Sequence, residues 1–170
     1  MNPTIAVRKA DTQDLPSLWD MTRSFGKEHD ADYFEHCLNL QAQGKREVLI
    51  VSSDGIDAGY GMLNWIPKYA LFKKLGIPEI QDLNVVPAFR QRGLASYFIK
   101  HCEDVARQKG HEEMGIAFGL YSSYGPAQRL YIKLGYIPDG QGVTYDRKQI
   151  AHGDFKPVDD DLCLMLIKAL

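Results

Sequence analysis

Asp82 to Lys100 reads D-L-N-V-V-P-A-F-R-Q-R-G-L-A-S-Y-F-I-K. A strand predicted over Glu79 to Val86 ends at Val86-Pro87, where proline cannot continue a ladder. An arginine-rich turn follows, and Gly93 opens the strongest helix of the chain. That helix is predicted over Gly93 to Lys109, with Leu94, Phe98, Cys102, Val105 and Ala106 on one face and Gly110 ending it. The first amides of a helix have no intrahelical acceptor, and the helix dipole adds partial positive charge at the same end. Gly93 lets an anion approach the backbone, Ala95 keeps the next turn small, and Arg90, Gln91 and Arg92 add charge and donors. Together these features describe a site for a phosphate or pyrophosphate. The spacing matches neither the P-loop G-x-x-x-x-G-K-[ST] nor the dinucleotide fingerprint G-x-G-x-x-G. Gly59-Tyr60-Gly61 is only G-x-G inside an apparent strand, and reads as a bulge or a close backbone contact.

A second motif lies at Tyr124 to Tyr136, Y-G-P-A-Q-R-L-Y-I-K-L-G-Y. Here the chain resembles the GCN5-related N-acetyltransferase (GNAT) superfamily. Arg90-Gln91-Arg92-Gly93-Leu94-Ala95 resembles the family's Q/R-x-x-G-x-G/A motif. Ala127-x-x-Leu130-Tyr131-x-Lys133-Leu134-Gly135-Tyr136 resembles its A-x-x-L-Y-x-K-L-G-F/Y motif. The resemblance is closest from Glu79 to Tyr136, and element order extends it over the chain.

It implies the family's α/β fold, a mixed central sheet splayed at the acetyl-CoA site with helices on both faces. It also implies acetyl-CoA as co-substrate. The pyrophosphate would sit on Gln91, Arg92, Gly93, Leu94, Ala95 and Ser96, with Arg90 adding charge. Leu83, Asn84 and Val85 would bind the pantetheine arm, and a backbone amide there would face the oxyanion. Tyr131 aligns with the tyrosine that protonates the departing sulfur, and Glu79 with a family glutamate that acts as base. One departure stands out. The usual asparagine of the second motif is Tyr124 here, which leaves its hydrogen bond to Ser122 or Ser123. Asp82, three residues beyond Glu79, is expected on the other face of the strand.

The family's acceptor pocket maps onto the first two helices and their connection, with Glu28, His29, Asp30, Asp32, Tyr33, Glu35 and His36. These carboxylates, with Asp159 to Asp161, would attract a cationic amine. His29 and His36 lack tight metal-ligand spacing, so no metal is expected. The implied function is acetyl transfer from acetyl-CoA to a primary amine, by direct attack in a ternary complex. The acceptor is a small molecule or a peptide, and a homodimer is open. A non-catalytic acyl-CoA-binding module of the same fold is the other reading. An unrelated nucleotide-phosphate binder would make both motifs coincidental.

Working outward, the chain has 170 residues, 45% hydrophobic and 25% charged, which fits one domain over 1–170. Lys plus Arg is 20 against 22 Asp plus Glu, a net charge of −2, so nucleic acid is not an expected partner. Cys37, Cys102 and Cys163 are far apart, without a C-x-x-C, and point to a reducing compartment. No apolar run approaches a membrane span, and Arg8, Lys9 and Asp11 interrupt any signal peptide. The expected setting is cytoplasmic. The other predicted elements are a strand at Thr4 to Lys9 and a helix capped by Asp14. A second helix follows at Asp32 to Ala42, then strands at Glu47 to Ser53 and Ile56 to Ile66 around an Asp54-Gly55 turn. Pro67 to Pro78 reads as loop or short helix. Beyond the long helix come a strand at Met114 to Leu120, a helix at Pro126 to Leu134, and strands from Tyr136 and at Leu162 to Leu170.

Overall fold

The computed structural model describes residues 3–170. The chain divides into two compact units, one of residues up to Trp65 with Ile80–Val105, the other of Ile66–Glu79 with Ala106–Leu170.

The first unit begins with β1 (Ile5–Lys9) and α1 (Leu15–Ser24), then α2 (Tyr33–Ala42). Asp14 stands at the N-cap of α1, as expected, but makes no side-chain cap bond there. The side-chain cap belongs to the short 3-10 turn over Thr12–Asp14, where Asp11 and Asp14 bond each other's backbone amides reciprocally. The Asp14 carboxylate also binds Arg8 in a two-pronged pair at 2.8 Å. Strands β2 (Arg46–Ser53) and β3 (Ile56–Asn64) form an antiparallel hairpin. Asp54 and Gly55 both take positive φ, as the turn that matches strand twist requires. β4 (Glu79–Val85) and α4 (Leu94–Gln108) follow, and the spatial order of the strands here is β1-β2-β3-β4. Leu18, Met21, Phe34, Cys37, Val48, Ile50, Tyr60 and Met62 form the core between helices and sheet.

The expected irregularity at Gly59 and Gly61 is present. The β2–β3 register shifts between Val51 and Ser52. A Cβ on Gly59 would lie 2.4 Å from the Asn84 carbonyl oxygen, and one on Gly61 would lie 2.6 Å from the Phe98 ring. The two glycines therefore let β4 and α4 close against β3.

In the second unit, Pro67 to Pro78 contains a short helix, α3 (Ala70–Leu75). β5 (Glu113–Gly119), α5 (Gly125–Lys133), β6 (Ile137–Tyr145), β7 (Lys148–Gln149) and β8 (Leu162–Ala169) complete the chain. Their order is β5-β8-β6-β7, with β8 antiparallel to both β5 and β6. Tyr69, Phe72, Ile77 and Met165 pack together. β7 has no counterpart in the sequence reading. It is two residues long, and its turn is Asp146-Arg147, both at positive φ without the glycine that usually marks such a turn. All three cysteines are buried and free. Among the described residues no helix is long and apolar enough to cross a membrane.

Candidate active site

The turn between β4 and α4 joins a strand end to a helix start. Val86 donates its amide to Ala58 at 2.8 Å, and Pro87–Phe89 makes a single 3-10 turn closed by Arg90 on Pro87. The Arg90 Nε donates to the Val85 carbonyl at 3.0 Å, so the guanidinium is tied to the strand end. Arg92 lies over the Phe89 ring, 5.4 Å from its centroid. Gln91 and Gly93 take φ of 59° and 83°, and Gln91, Arg92 and Gly93 are exposed. Among the described residues, the next backbone amide after Arg90 to find a backbone carbonyl is that of Tyr97, on Gly93. The amides from Gln91 to Ser96 thus include those that any helix start leaves unfilled. A Cβ on Gly93 would meet nothing within 4 Å, so the space above the turn is open. A diphosphate fits this turn in charge, donors and room. Leu94 is 1% exposed and contributes core packing with its side chain, whereas Ala95 and Ser96 are half-buried.

Leu83, Asn84 and Val85 occupy the end of β4. Just before them stands Asp82, with φ of 52°. Its carboxylate is the centre of a polar cluster. Lys27 Nζ donates to Oδ1, Tyr33 Oη donates to Oδ2 at 2.8 Å, and Asn84 Nδ2 donates to Oδ1 at 3.0 Å. His29 Nε2 lies 3.5 Å from Oδ2 and 3.4 Å from Tyr60 Oη. The His29 ring stacks flat on Tyr33, with centroids 3.9 Å apart. Burial pushes the Asp82 carboxyl up, but Lys27, Tyr33 and His29 outweigh it, and the group sits below the usual carboxylate range. Burial lowers His29, against the opposing pull of Asp82, so the imidazole is neutral near pH 7. Of the acceptor-pocket residues named from sequence, His29 and Tyr33 converge here. Lys27 and Tyr60 were missed, and Asp82 was considered only as a carboxylate on the other face of the strand from Glu79. The available signal was a charged residue inside I-Q-D-L-N-V-V, otherwise a strand.

In the second unit, Tyr131 lies on α5, buried at 7% exposure, with Phe118 and Tyr136 rings 6.4 and 6.5 Å away. Burial pushes its hydroxyl up to about 12, so it keeps its proton at neutral pH. Glu79 lies at the start of β4. It is fully buried, and Arg147 Nη2 lies 3.0 Å from its Oε1. Arg147 was not foreseen, because the turn that carries it has no glycine signature. Ser122 and Ser123 are exposed. Tyr124 packs its ring over Gly119 and donates its hydroxyl to Asp160 at 2.9 Å, and the Tyr121 hydroxyl donates to the same carboxylate. Tyr145 donates to Asp159 at 2.8 Å. The Asp159 to Asp161 run therefore holds tyrosines rather than being only a solvated turn. Among the described residues no three His, Cys, Asp or Glu side chains converge as metal ligands would.

No curated protein matches the chain in sequence. Solved structures share its fold. A protein from Desulfovibrio desulfuricans assigned to the GNAT family is 16% identical with a TM-score of 0.73, covering 98% of this chain and 99% of its own. An acetyltransferase from Salmonella typhimurium that modifies the N-terminal serine of ribosomal protein L7/L12 is 12% identical, with a TM-score of 0.74 and coverage of 98% and 95%. YncA from the same organism, solved with acetyl-CoA, is 18% identical, with a TM-score of 0.66 and coverage of 97% and 93%. The acetyltransferase (GNAT) family model matches residues 14–136. That span is well over half of the sequence and contains both motifs, and the chain belongs to the GNAT family of acetyltransferases.

Proposed function

We propose that this protein transfers an acetyl group from acetyl-CoA to a primary amine, by direct attack while both substrates are bound. The observation that carries this reading is the Gln91–Ser96 turn, exposed, with a positive-φ glycine and unfilled helix-start amides directly after β4. In this reading the amides of Gln91, Arg92, Gly93, Leu94, Ala95 and Ser96 hold the diphosphate, and Arg90 and Arg92 add charge. Backbone groups of Leu83, Asn84 and Val85 orient the pantetheine arm, and one amide there stabilises charge developing on the thioester oxygen. Ser123 serves the arm where the family's asparagine is absent.

Acetyl-CoA supplies an activated acyl carbon. The amine attacks as the free base after losing its ammonium proton to solvent. The C–N bond forms as the C–S bond breaks, the sulfur takes a proton from Tyr131, and the nitrogen's excess proton is lost to solvent, from which Tyr131 recovers its own. Tyr131 suits this role because it is still protonated at neutral pH. Glu79 enters with a different role from the one its alignment implied. A fully buried carboxylate against a guanidinium is poorly placed to accept a proton from substrate, and it acts instead by fixing Arg147 and the Asp146-Arg147 turn.

The test is transfer of radiolabelled acetyl from acetyl-CoA to a panel of primary amines and lysine-containing peptides, with release of free CoA thiol measured in parallel. Stoichiometric appearance of acetylated amine and thiol supports the reading. Binding of acetyl-CoA without transfer to any amine would favour the non-catalytic module.

A further inference from the structure

The Asp82 cluster is more elaborate than strand packing needs. A carboxylate with only 10% of its side chain exposed stands on a residue held at positive φ. Non-glycine residues are uncommon in that region and are often found at functional sites. The carboxylate is immediately followed by Leu83–Val85, the segment given above to the thioester end of acetyl-CoA. The cation bound to it is a primary amine on an unbranched alkyl chain, Lys27 Nζ. Lys27 reaches it from beyond the end of α1, next to Gly26 at φ 65°, and keeps 31% of its own side chain exposed. The remaining partners, Tyr33, Asn84 and neutral His29, bring no competing charge. The flat pair of His29 on Tyr33 lies against the same carboxylate.

The geometry points to Asp82 as the receptor for the acceptor's ammonium group, with Lys27 filling that place in the free enzyme as a built-in competitor. The inference rests on the acetyltransferase reading above and deepens it by naming a substrate class. An enclosed carboxylate already holding a lysyl side chain accepts a primary ammonium on a slender, unbranched chain, such as a lysine ε-amine or a linear diamine. Bulky or branched amines should bind more weakly there than linear ones. When a substrate enters, Lys27 swings to solvent and Tyr33 and Asn84 keep their hydrogen bonds to Asp82. A competitor bound for nine-tenths or more of the time weakens substrate binding by the reciprocal of the open fraction.

The experiment is calorimetric titration of the full chain with Nα-acetyl-lysine methylamide, with and without CoA, alongside CoA titrations of every protein. Lys27→Met should bind the lysine probe about 10- to 100-fold more tightly than wild type, with CoA affinity changed less than threefold. Lys27→Gln leaves a donor for Asp82, serves if the methionine variant does not fold, and should move affinity in the same direction. Adding Asp82→Asn to either variant should remove the gain, and asparagine tolerates the left-handed backbone at this position. A merely structural ion pair would give unchanged or weaker probe binding in the lysine variants. That result, or a gain that survives Asp82→Asn, would overturn the proposal. Failure of wild type to bind CoA would overturn the acetyltransferase reading separately, because the probe titration without CoA still reads the ammonium site.

Discussion

Gly93 offers a direct way to separate backbone strain from anion binding. Gly93→Ala and Gly93→Glu both place an L side chain at φ 83°, and neither Cβ meets an atom within 4 Å. The folding cost is therefore the left-handed backbone alone, about 1–2 kcal/mol for each variant. The two differ in charge. A glutamate on this turn brings its carboxylate within about 5 Å of a bound diphosphate, where each like-charge pair costs about 0.8 kcal/mol in water and about 3 at an effective dielectric near 20. For a diphosphate, about 2 kcal/mol is a conservative sum, or roughly 30-fold in Kd. Urea unfolding should give the two variants equal stability, and calorimetric titration with acetyl-CoA should separate them. The alanine variant should stay near wild type and the glutamate variant should bind at least 30-fold more weakly (about 2 kcal/mol). Raising salt should narrow the gap, because the repulsion acts at the surface. Equal affinity of the two variants would refute the diphosphate assignment and with it the orientation of the donor.

Three further outcomes follow from the site. Tyr131→Phe should lower kcat by about 10²-fold or more while leaving the KM for acetyl-CoA within threefold, and wild type should lose no rate to tyrosine ionisation up to about pH 10; unchanged kcat would remove Tyr131 as proton donor. Glu79→Gln leaves a buried guanidinium without its carboxylate and should destabilise the protein by about 3 kcal/mol in chemical denaturation. The Glu79→Gln, Arg147→Met double variant should recover most of that loss, and failure to recover would show that Glu79 does more than hold Arg147. His29 is lowered by burial, so between its folded value and the ordinary 6.5 the unfolded chain binds more protons. Stability then rises with pH across that window and falls on acidification through it. His29→Gln should flatten this slope in denaturant titrations run from pH 7 to pH 5, and a slope left unchanged would place the acid sensitivity elsewhere.

The sequence by itself determined what local chemistry determines. Proline at the end of β4, glycine at the start of α4 and an apolar stripe along that helix are short-range signals, and the strand-turn-helix unit could be read from them. Both motifs lay on the elements expected, and most strands and helices fell within a few residues of their predicted bounds. Gly59 and Gly61 were read as close backbone contacts for the same reason, since only a missing Cβ permits 2.4 Å geometry.

What only the tertiary structure decided was the fate of charged groups whose partners are distant in the chain. Asp82 meets Lys27 across 55 positions, and Glu79 meets Arg147 across a similar gap. No periodicity encodes such pairs, because burial and partner choice arise when separate elements pack. The positive φ at Asp82 shows the same limit. Strand propensity does not foretell a left-handed residue inside β4. Coulomb attraction in a site with little water makes these few contacts strong, and it is folding that brings the charges within reach of one another.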